Sequence, residues 1–495
     1  MSQYKPDPDK SVNLTIDGVP VTVPEGTRIL EAARKANVRI PTLCDHPGLC
    51  KRGVCRLCVV ECDGRGKLLA ACANDVWEGV NIVTNNLRIL SIRKMIIELL
   101  LANHPQECLS CIRSKNCELQ TLAAHFCITA SPFRHDAADR RPPVTESDTL
   151  VRDMGKCVKC GRCVEACQEV QTIRSINSGY RSIHYGISAP YNQALAEGPC
   201  VFCGQCAAVC PVGAIYGYDQ SAEAWMALND TERHVVIQIA PSLSAAFNNA
   251  LGLPAGTVSP GVLVSALKRL GFDRVFNSET SVNAAMAQEN GELLNRIKEK
   301  SKLPMISACS AGGIKFIEDS FPDFAGHLSP CNSPQQMLRT LIKTADSAPI
   351  TVVSVSACIA QKFKYRRSGE NSPDCHDANL TLTVDELVQM FKQGGVDVSG
   401  LPETAFDVLP GEAPAEYKTN FTNLGDIQKG IQESEINLHG TKVKMLTVYG
   451  FVNVRTIMDS IRGGECDASL VRIMSCPRTD SQQACKNSGR TIQNL

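Results

Sequence analysis

The residues with the plainest chemistry are the cysteines, 25 of them in 495 residues. Cys44, Cys55, Cys58 and Cys72 form a first group, and Cys108, Cys111 and Cys117 a second behind His104. Cys157, Cys160, Cys163 and Cys167 form a third, and Cys200, Cys203, Cys206 and Cys210 a fourth. Cys309, Cys358, Cys476 and Cys485 are scattered farther along. A C-x2-C step puts two thiolates on one loop, too close for an ordinary crosslink and well placed to share a metal. The expected chemistry is soft-metal ligation in a reducing compartment. Cys50, Cys62, Cys127, Cys331, Cys375 and Cys466 fit no ligand spacing and are expected to be packing thiols.

These groups need elements to hold them. SVNLTIDGVPVTVPEG alternates apolar and polar residues around Asp17-Gly18, the pattern of a hairpin. TRILEAARKANV has helical periodicity, and the first cysteine loop closes in a strand pair within LLAACANDVWEGVNIVT. RILSIRKMIIELLLANH reads as an amphipathic helix ending at His104. The polar stretch TASPFRHDAADRRPPVTESD is a linker, and after Tyr218 the pattern becomes long α/β with isolated cysteines. Hydrophobic content of 43% and charged content of 21% fit a globular protein. A net charge of +0 gives no footprint for nucleic acid. The absence of a long apolar run, and of an apolar core in MSQYKPDPDK, predicts a cytoplasmic protein without a membrane partner.

Four resemblances follow from the cysteine groups, and together they imply a multidomain α+β and α/β fold. Residues 1–84 resemble the β-grasp [2Fe–2S] ferredoxin domain at the front of [FeFe]-hydrogenases and complex I-type subunits. This implies Cys44, Cys55, Cys58 and Cys72 as ligands. Residues 85–140 resemble the one-His/three-Cys [4Fe–4S] domain of the same families, with His104, Cys108, Cys111 and Cys117. Zinc takes the same donors, and it is the position within a series of cluster motifs that favours iron–sulfur. Residues 141–225 carry C-x2-C-x2-C-x3-C twice, the second run ending in Cys210-Pro211, and resemble a bacterial 2[4Fe–4S] ferredoxin. In that arrangement the fourth cysteine of one run ligates the other cluster. The implied sets are Cys157, Cys160, Cys163 with Cys210, and Cys200, Cys203, Cys206 with Cys167.

Residues 230–495 resemble the two-lobed α/β catalytic domain of [FeFe]-hydrogenases, through VVIQIAPSLSAAF, LKRLGFDRVFNSET, LPMISACSAGGIKFIEDSFPDF, LSPCNSPQQMLRTLIKT, VVSVSACIAQKFK and ASLVRIMSCP. In the family this domain holds a [4Fe–4S] cluster bridged by cysteine to a di-iron unit. The site here departs from the pattern. Cys309 matches a ligand, but the proton-relay thiol beside it is Ser310, whose hydroxyl is a far poorer acid. Cys358 matches a second ligand, while Gln361 replaces the anchoring lysine and Lys364 a relay glutamate. Cys476 matches a third, Asp480 stands where the bridging cysteine is expected, and Arg472 replaces a glutamate. Aspartate cannot supply a soft bridging sulfur. The expectation is one [2Fe–2S], three [4Fe–4S] clusters and a fourth [4Fe–4S] on Cys309, Cys358, Cys476 and Cys485, with Asp480 the alternative fourth ligand and no di-iron subsite.

The implied function is an iron–sulfur electron-transfer subunit of a flavin-based, electron-bifurcating, NAD(P)- and ferredoxin-linked oxidoreductase, rather than a hydrogenase itself. Plant-type [2Fe–2S] centres run at roughly −400 mV, which suits such exchange. No G-x-G-x-x-G run supplies an NAD or flavin site. The resemblance therefore implies a complex I-type flavoprotein partner carrying FMN and NAD, a thioredoxin-like [2Fe–2S] partner, and ferredoxin. An active or sensory [FeFe]-hydrogenase is the alternative, and a non-catalytic redox sensor or Fe–S carrier a further one.

Overall fold

The computed structural model describes residues 7, 9–49, 52–62, 68–133, 143–182, 185–331, 333–345, 349–363, 380–408, 421–423, 430–438 and 440–476. Ser11–Ile16 and Val19–Pro24 form the expected antiparallel hairpin, turning through Asp17 and Gly18 at φ 50° and 82°. Two positive φ values in succession match the right-handed twist of the strands they join. Ser11–Ile16 also pairs in parallel with Asn81–Val83, and Val59–Cys62 and Leu68–Ala70 complete a five-stranded sheet. The helix Ile29–Lys35 buries Ile29, Leu30, Ala32 and Ala33, and with the inward face of the sheet these make one apolar core. Cys62 lies in that core, 2% exposed, as a packing thiol.

The next helix, Leu87–Ala102, starts at Asn86, whose side chain accepts the Ile89 N–H at 2.9 Å. It stops at Ala102, with Asn103 as its cap, so His104 lies in the following turn rather than on the helix. Its buried residues, Ile89, Arg93 and Ile97, form a narrow stripe. A second helix, Glu118–His125, follows directly on Cys117. The middle of the chain is small and loop-rich. Val144–Glu146, Leu150–Arg152 and Ile215–Gly217 form an antiparallel sheet, and the short helices Arg162–Glu165 and Gln205–Ala208 carry the cysteine repeat. Each short helix starts behind a left-handed glycine, Gly161 at φ 79° and Gly204 at φ 75°.

These three segments share one core. Leu43 and Leu57 from the first, Ile97, Leu119 and Leu122 from the second, and Val212 and Ala214 from the third pack together. Burial of this kind fixes relative position as firmly as it stabilises.

Among the described residues, the C-terminal half has two sheets. In one, Arg274–Asn277, His234–Ile239, Ile350–Ser356 and Leu380–Thr383 run parallel in that order. His234–Ile239 is buried from Val235 onward, as a strand covered on both faces must be. In the other, Met305–Ala308, Leu470–Met474 and Thr441–Tyr449 are parallel, and Ile431–Leu438 and Phe421–Asn423 extend it antiparallel. Cys309, Cys358 and Cys476 each follow within two residues of a strand's carboxyl end, where open α/β sheets present their ligand-binding loops. Among the described residues, no helix is long and apolar enough to cross a membrane.

Candidate iron–sulfur sites

Cys44, Cys55, Cys58 and Cys72 are brought together. The Cys72 N–H lies 3.5 Å from Cys58 Sγ. Cys44 accepts from the Cys55 and Cys72 thiols, which lowers it, and Cys58 is lowered by accepting from Cys72. Cys55 and Cys72, as donors to Cys44, are raised. The four sulfurs therefore titrate as one crowded set. Gly53 allows this approach: at φ 61°, a Cβ there would sit 3.1 Å from Ala73 Cβ and 3.9 Å from Cys72 Sγ.

Cys108 and Cys111 lie within electrostatic reach of Cys117. Burial raises the Cys117 thiol first, and Cys111 and Cys108 add to the effect. Cys108 is exposed and Cys117 buried, so this group spans from surface to core. His104 is half-buried one turn past the helix, its N–H donating to Leu101 O at 3.1 Å. A Cβ on Gly213 would lie 3.2 Å from Cys111 Sγ, so this group abuts the chain just beyond Cys210.

The repeat forms two cavities. One, of about 320 Å³ including its open mouth, is lined by Cys157, Cys160, Cys163 and Cys210. The other, of about 330 Å³, is lined by Cys200, Cys203, Cys206 and Cys167. Each thus takes three cysteines from one run and one from the other. Burial pushes Cys157 up to about 11 and Cys160 and Cys200 up to about 12, and drives Cys163, Cys203 and Cys206 well above the ordinary thiol range. Four such thiols become thiolates together only around a compensating cation. Among the described residues, no three His, Cys, Asp or Glu side chains close on a single-ion site. The sulfurs of each set line the walls of one cavity. Cys163 acts electrostatically on Cys206, so the two cavities adjoin.

Cys309, Cys358 and Cys476 gather beside the second cavity. Cys358 is among the charges acting on both Cys203 and Cys309. Gln205 Nε2 lies 3.9 Å from Cys476 Sγ. The Ser475 N–H donates to Cys309 Sγ at 3.5 Å, and the Cys309 thiol donates to the Ser475 hydroxyl oxygen at 3.9 Å. Burial raises the Cys309 thiol, although its surface opens to solvent. The approach is close: a Cβ on Gly312 would collide with the Val201 carbonyl oxygen, and the Phe202 and Phe363 rings stack at 4.6 Å.

The polar groups around this site are already engaged. Gln361 Nε2 donates to Cys309 O at 2.7 Å, and the Ser310 and Ser475 hydroxyls share a 2.7 Å bond. Lys362, fully buried, donates to Tyr218 O at 2.7 Å and pairs with Glu386 at 2.5 Å. Arg472 pairs with Glu289 at 2.8 Å. Lys364, Asp480 and Cys485 lie outside the described residues, as do Cys50 and Cys375.

Sequence reasoning passed over Arg162, Gln171, Gln205 and Ser475. A signal was present for two of them. Cys160-Gly161-Arg162-Cys163 and Cys203-Gly204-Gln205-Cys206 place a long polar residue at the same point of each run.

Comparison with known proteins agrees with this organisation. Residues 9–87 match the 2Fe-2S iron-sulfur cluster binding domain, and 93–132 the NADH-ubiquinone oxidoreductase-G iron-sulfur binding region. Residues 156–214 match the 4Fe-4S dicluster domain, and 233–479 the iron only hydrogenase large subunit, C-terminal domain. The NADP-reducing hydrogenase subunit HndD of Solidesulfovibrio fructosivorans is 33% identical over 94% of this chain and 87% of its own length. Iron hydrogenase 1 of Clostridium pasteurianum is 28% identical over 96% of this chain and 88% of its own. The NADPH-Fe(3+) oxidoreductase subunit alpha of Geobacter sulfurreducens is 34% identical over 41% of this chain and 24% of its own. The chain thus carries [2Fe–2S] and [4Fe–4S] binding domains ahead of a hydrogenase-like domain.

Proposed function

The chain belongs to the iron-only hydrogenase large-subunit family, and on that premise we propose that it is an iron–sulfur electron-transfer subunit of a multi-subunit, NAD(P)- and ferredoxin-linked oxidoreductase that bifurcates electrons at a partner's flavin. The observation that carries this reading is continuity. The Cys44 set and the Cys117 set share a core with Cys157 and Cys210, the two repeat cavities adjoin, and Cys358 lies within electrostatic reach of Cys203.

The ligand sets are those of the sequence: Cys44, Cys55, Cys58 and Cys72; His104, Cys108, Cys111 and Cys117; Cys157, Cys160, Cys163 and Cys210; Cys200, Cys203, Cys206 and Cys167. At the last site Cys309, Cys358 and Cys476 hold a further [4Fe–4S], completed by Cys485 or Asp480. When bound, these groups supply one-electron transfer, and the chain spaces them, shields them from water and neutralises part of their charge.

The same site is read as lacking a di-iron subsite. The residue at the family's anchoring-lysine position is a neutral amide bonded to Cys309 O, and Lys362 beside it is held by Glu386 and Tyr218. Ser310 offers a hydroxyl tied to Ser475 in place of a relay thiol. The names of the relatives, an NADP-reducing hydrogenase and an NADPH-Fe(3+) oxidoreductase, support a nicotinamide-linked assembly. Its partners are taken to be a complex I-type flavoprotein with FMN and NAD, a thioredoxin-like [2Fe–2S] subunit and ferredoxin.

Infrared spectroscopy of anaerobically purified chain in the metal-bound CO and CN region, with iron counting, tests the reading. Silence there, with iron for four or five clusters, is the expected result. Sharp bands would return the chain to the hydrogenases proper.

A further inference from the structure

Arg162 opens the first short helix of the repeat, two residues after Cys160 and one before Cys163, and is 4% exposed. Its guanidinium grips Glu118 with two bonds, Nη1 to Oε1 at 2.6 Å and Nη2 to Oε2 at 2.8 Å. Nη2 also donates to the Asp45 carbonyl at 2.8 Å. Asp45 directly follows Cys44, and Glu118 directly follows Cys117. One side chain inside the third cysteine group therefore holds the residue next to a cysteine in each of the first two. A second brace runs alongside, where Arg52 pairs with Glu165 at 3.2 Å and reaches Gly161 O at 3.5 Å.

A guanidinium keeps its charge wherever it is placed, and burying it demands compensation. Glu118 gives that compensation only in part, since its side chain is 35% exposed and so half-screened by water. Arg162 stands two residues from Cys160, and its Nη2 holds the carbonyl of the residue that follows Cys44. This places the cation close to the Cys44 and Cys160 sulfurs, where a buried charge is weakly screened. Toward Cys117 it is presented together with the Glu118 carboxylate, as a nearly neutral pair.

We propose that Arg162 is a positioning residue that locks the first three cluster cradles together, and that its buried charge raises the reduction potentials of the groups held by the Cys44 and Cys160 sets while offsetting the Glu118 carboxylate at the His104 set. The proposal rests on the iron–sulfur reading above. It concerns a residue that ligates nothing, so it is read in potentials and not in turnover.

The test is an EPR-monitored redox titration of the full chain, with iron counted, for the unaltered protein, Arg162→Gln, Arg162→Lys and Glu118→Gln. Arg162→Gln is expected to lower the midpoints of the [2Fe–2S] signal and of the [4Fe–4S] signals assigned to the Cys160 and His104 sets. Glu118→Gln removes a negative charge and is expected to raise the same three. Arg162→Lys keeps the charge without the fork, and its midpoints should stay closer to those of the unaltered chain. A purely structural role would move both charge variants in one direction or neither. That outcome, with iron retained, overturns the proposal. Should Arg162→Gln shed iron, Glu118→Gln decides alone: an upward shift supports the proposal and an unmoved midpoint ends it. An unaltered chain without iron–sulfur signals would instead remove the reading beneath.

Discussion

The two runs of the cysteine repeat share a backbone and differ in what they send outward. Arg162 leaves the first run carrying a charge, bound to Glu118 and Asp45. Gln205 leaves the second from the equivalent position carrying only an amide, directed at Cys476. The surroundings follow suit. At the first end an apolar core is braced by the Arg162 and Arg52 ion pairs. At the second the contacts that reach the Cys309 and Cys476 loops are neutral, while the Lys362–Glu386 pair braces the Cys358 loop. Gln171 donates to Ser475 O at 2.8 Å and accepts the Phe451 N–H at 3.2 Å, and Ser310 meets Ser475. A buried charge acts at range, whereas an amide orients what it touches and little else. The first end is therefore built to set potentials over several groups, and the second to hold one loop in place.

The largest test of this comparison concerns the repeat itself. With each cavity sharing cysteines between runs, Cys157→Ser and Cys210→Ser should erase the same EPR signal and about four irons. Cys167→Ser and Cys200→Ser should erase the other. If Cys210→Ser and Cys200→Ser fall together instead, ligation follows the runs, and the two ends are separate units rather than halves of one crossed pair.

A smaller effect is expected at Lys362, which ties the Cys358 loop to Tyr218 and Glu386. Lys362→Met leaves a buried carboxylate without its partner, and such losses cost about 3–5 kcal/mol. The pH dependence has a definite sign. Burial raises Glu386 in the folded protein, with Lys362 opposing it. The fold thus binds that proton more readily than the unfolded chain does. Its penalty is small below the ordinary carboxylate range and grows as pH rises through the raised value. Removing Lys362 enlarges that rise. Denaturant midpoints at about pH 5 and about pH 8 should show the variant losing more at the higher pH. Equal losses at both would mean that the ionisation of Glu386 does not set this loss, and that the Lys362–Glu386 contact does not act as a buried ion pair.

Much of this was legible in the sequence because it is written in local spacing. The hairpin at Asp17-Gly18 needs only two adjacent residues of the right kind. The cysteine runs place three thiols by covalent geometry before any packing is considered. Two things were less legible. The helix after residue 86 ends at Ala102 instead of His104, because Asn103 caps it and apolar periodicity does not mark caps. The roles of Arg162 and Gln171 depend on partners far away in the chain, Glu118 and Asp45 for one and Ser475 and Phe451 for the other. No window of sequence contains both members of such a pair. The glycines at 161 and 204 mark where the two runs are equivalent, yet only the fold shows what the next residue reaches.

The smallest effect, and the sharpest contrast with Arg162, is expected at Gln205. Its contact with Cys476 Sγ is long, 3.9 Å, and the side chain is neutral. Gln205→Met keeps the length and apolar bulk while deleting the donor, so global stability should move by no more than about 1 kcal/mol. A donor to a ligating sulfur favours the reduced, more negative state of the group it holds. The variant should therefore lower the midpoint of the signal assigned to the Cys309, Cys358 and Cys476 site, and leave the [2Fe–2S] midpoint where it was. If the [2Fe–2S] midpoint moved as well, the second end would also act at range. The distinction between a charged junction and a neutral one would then be lost.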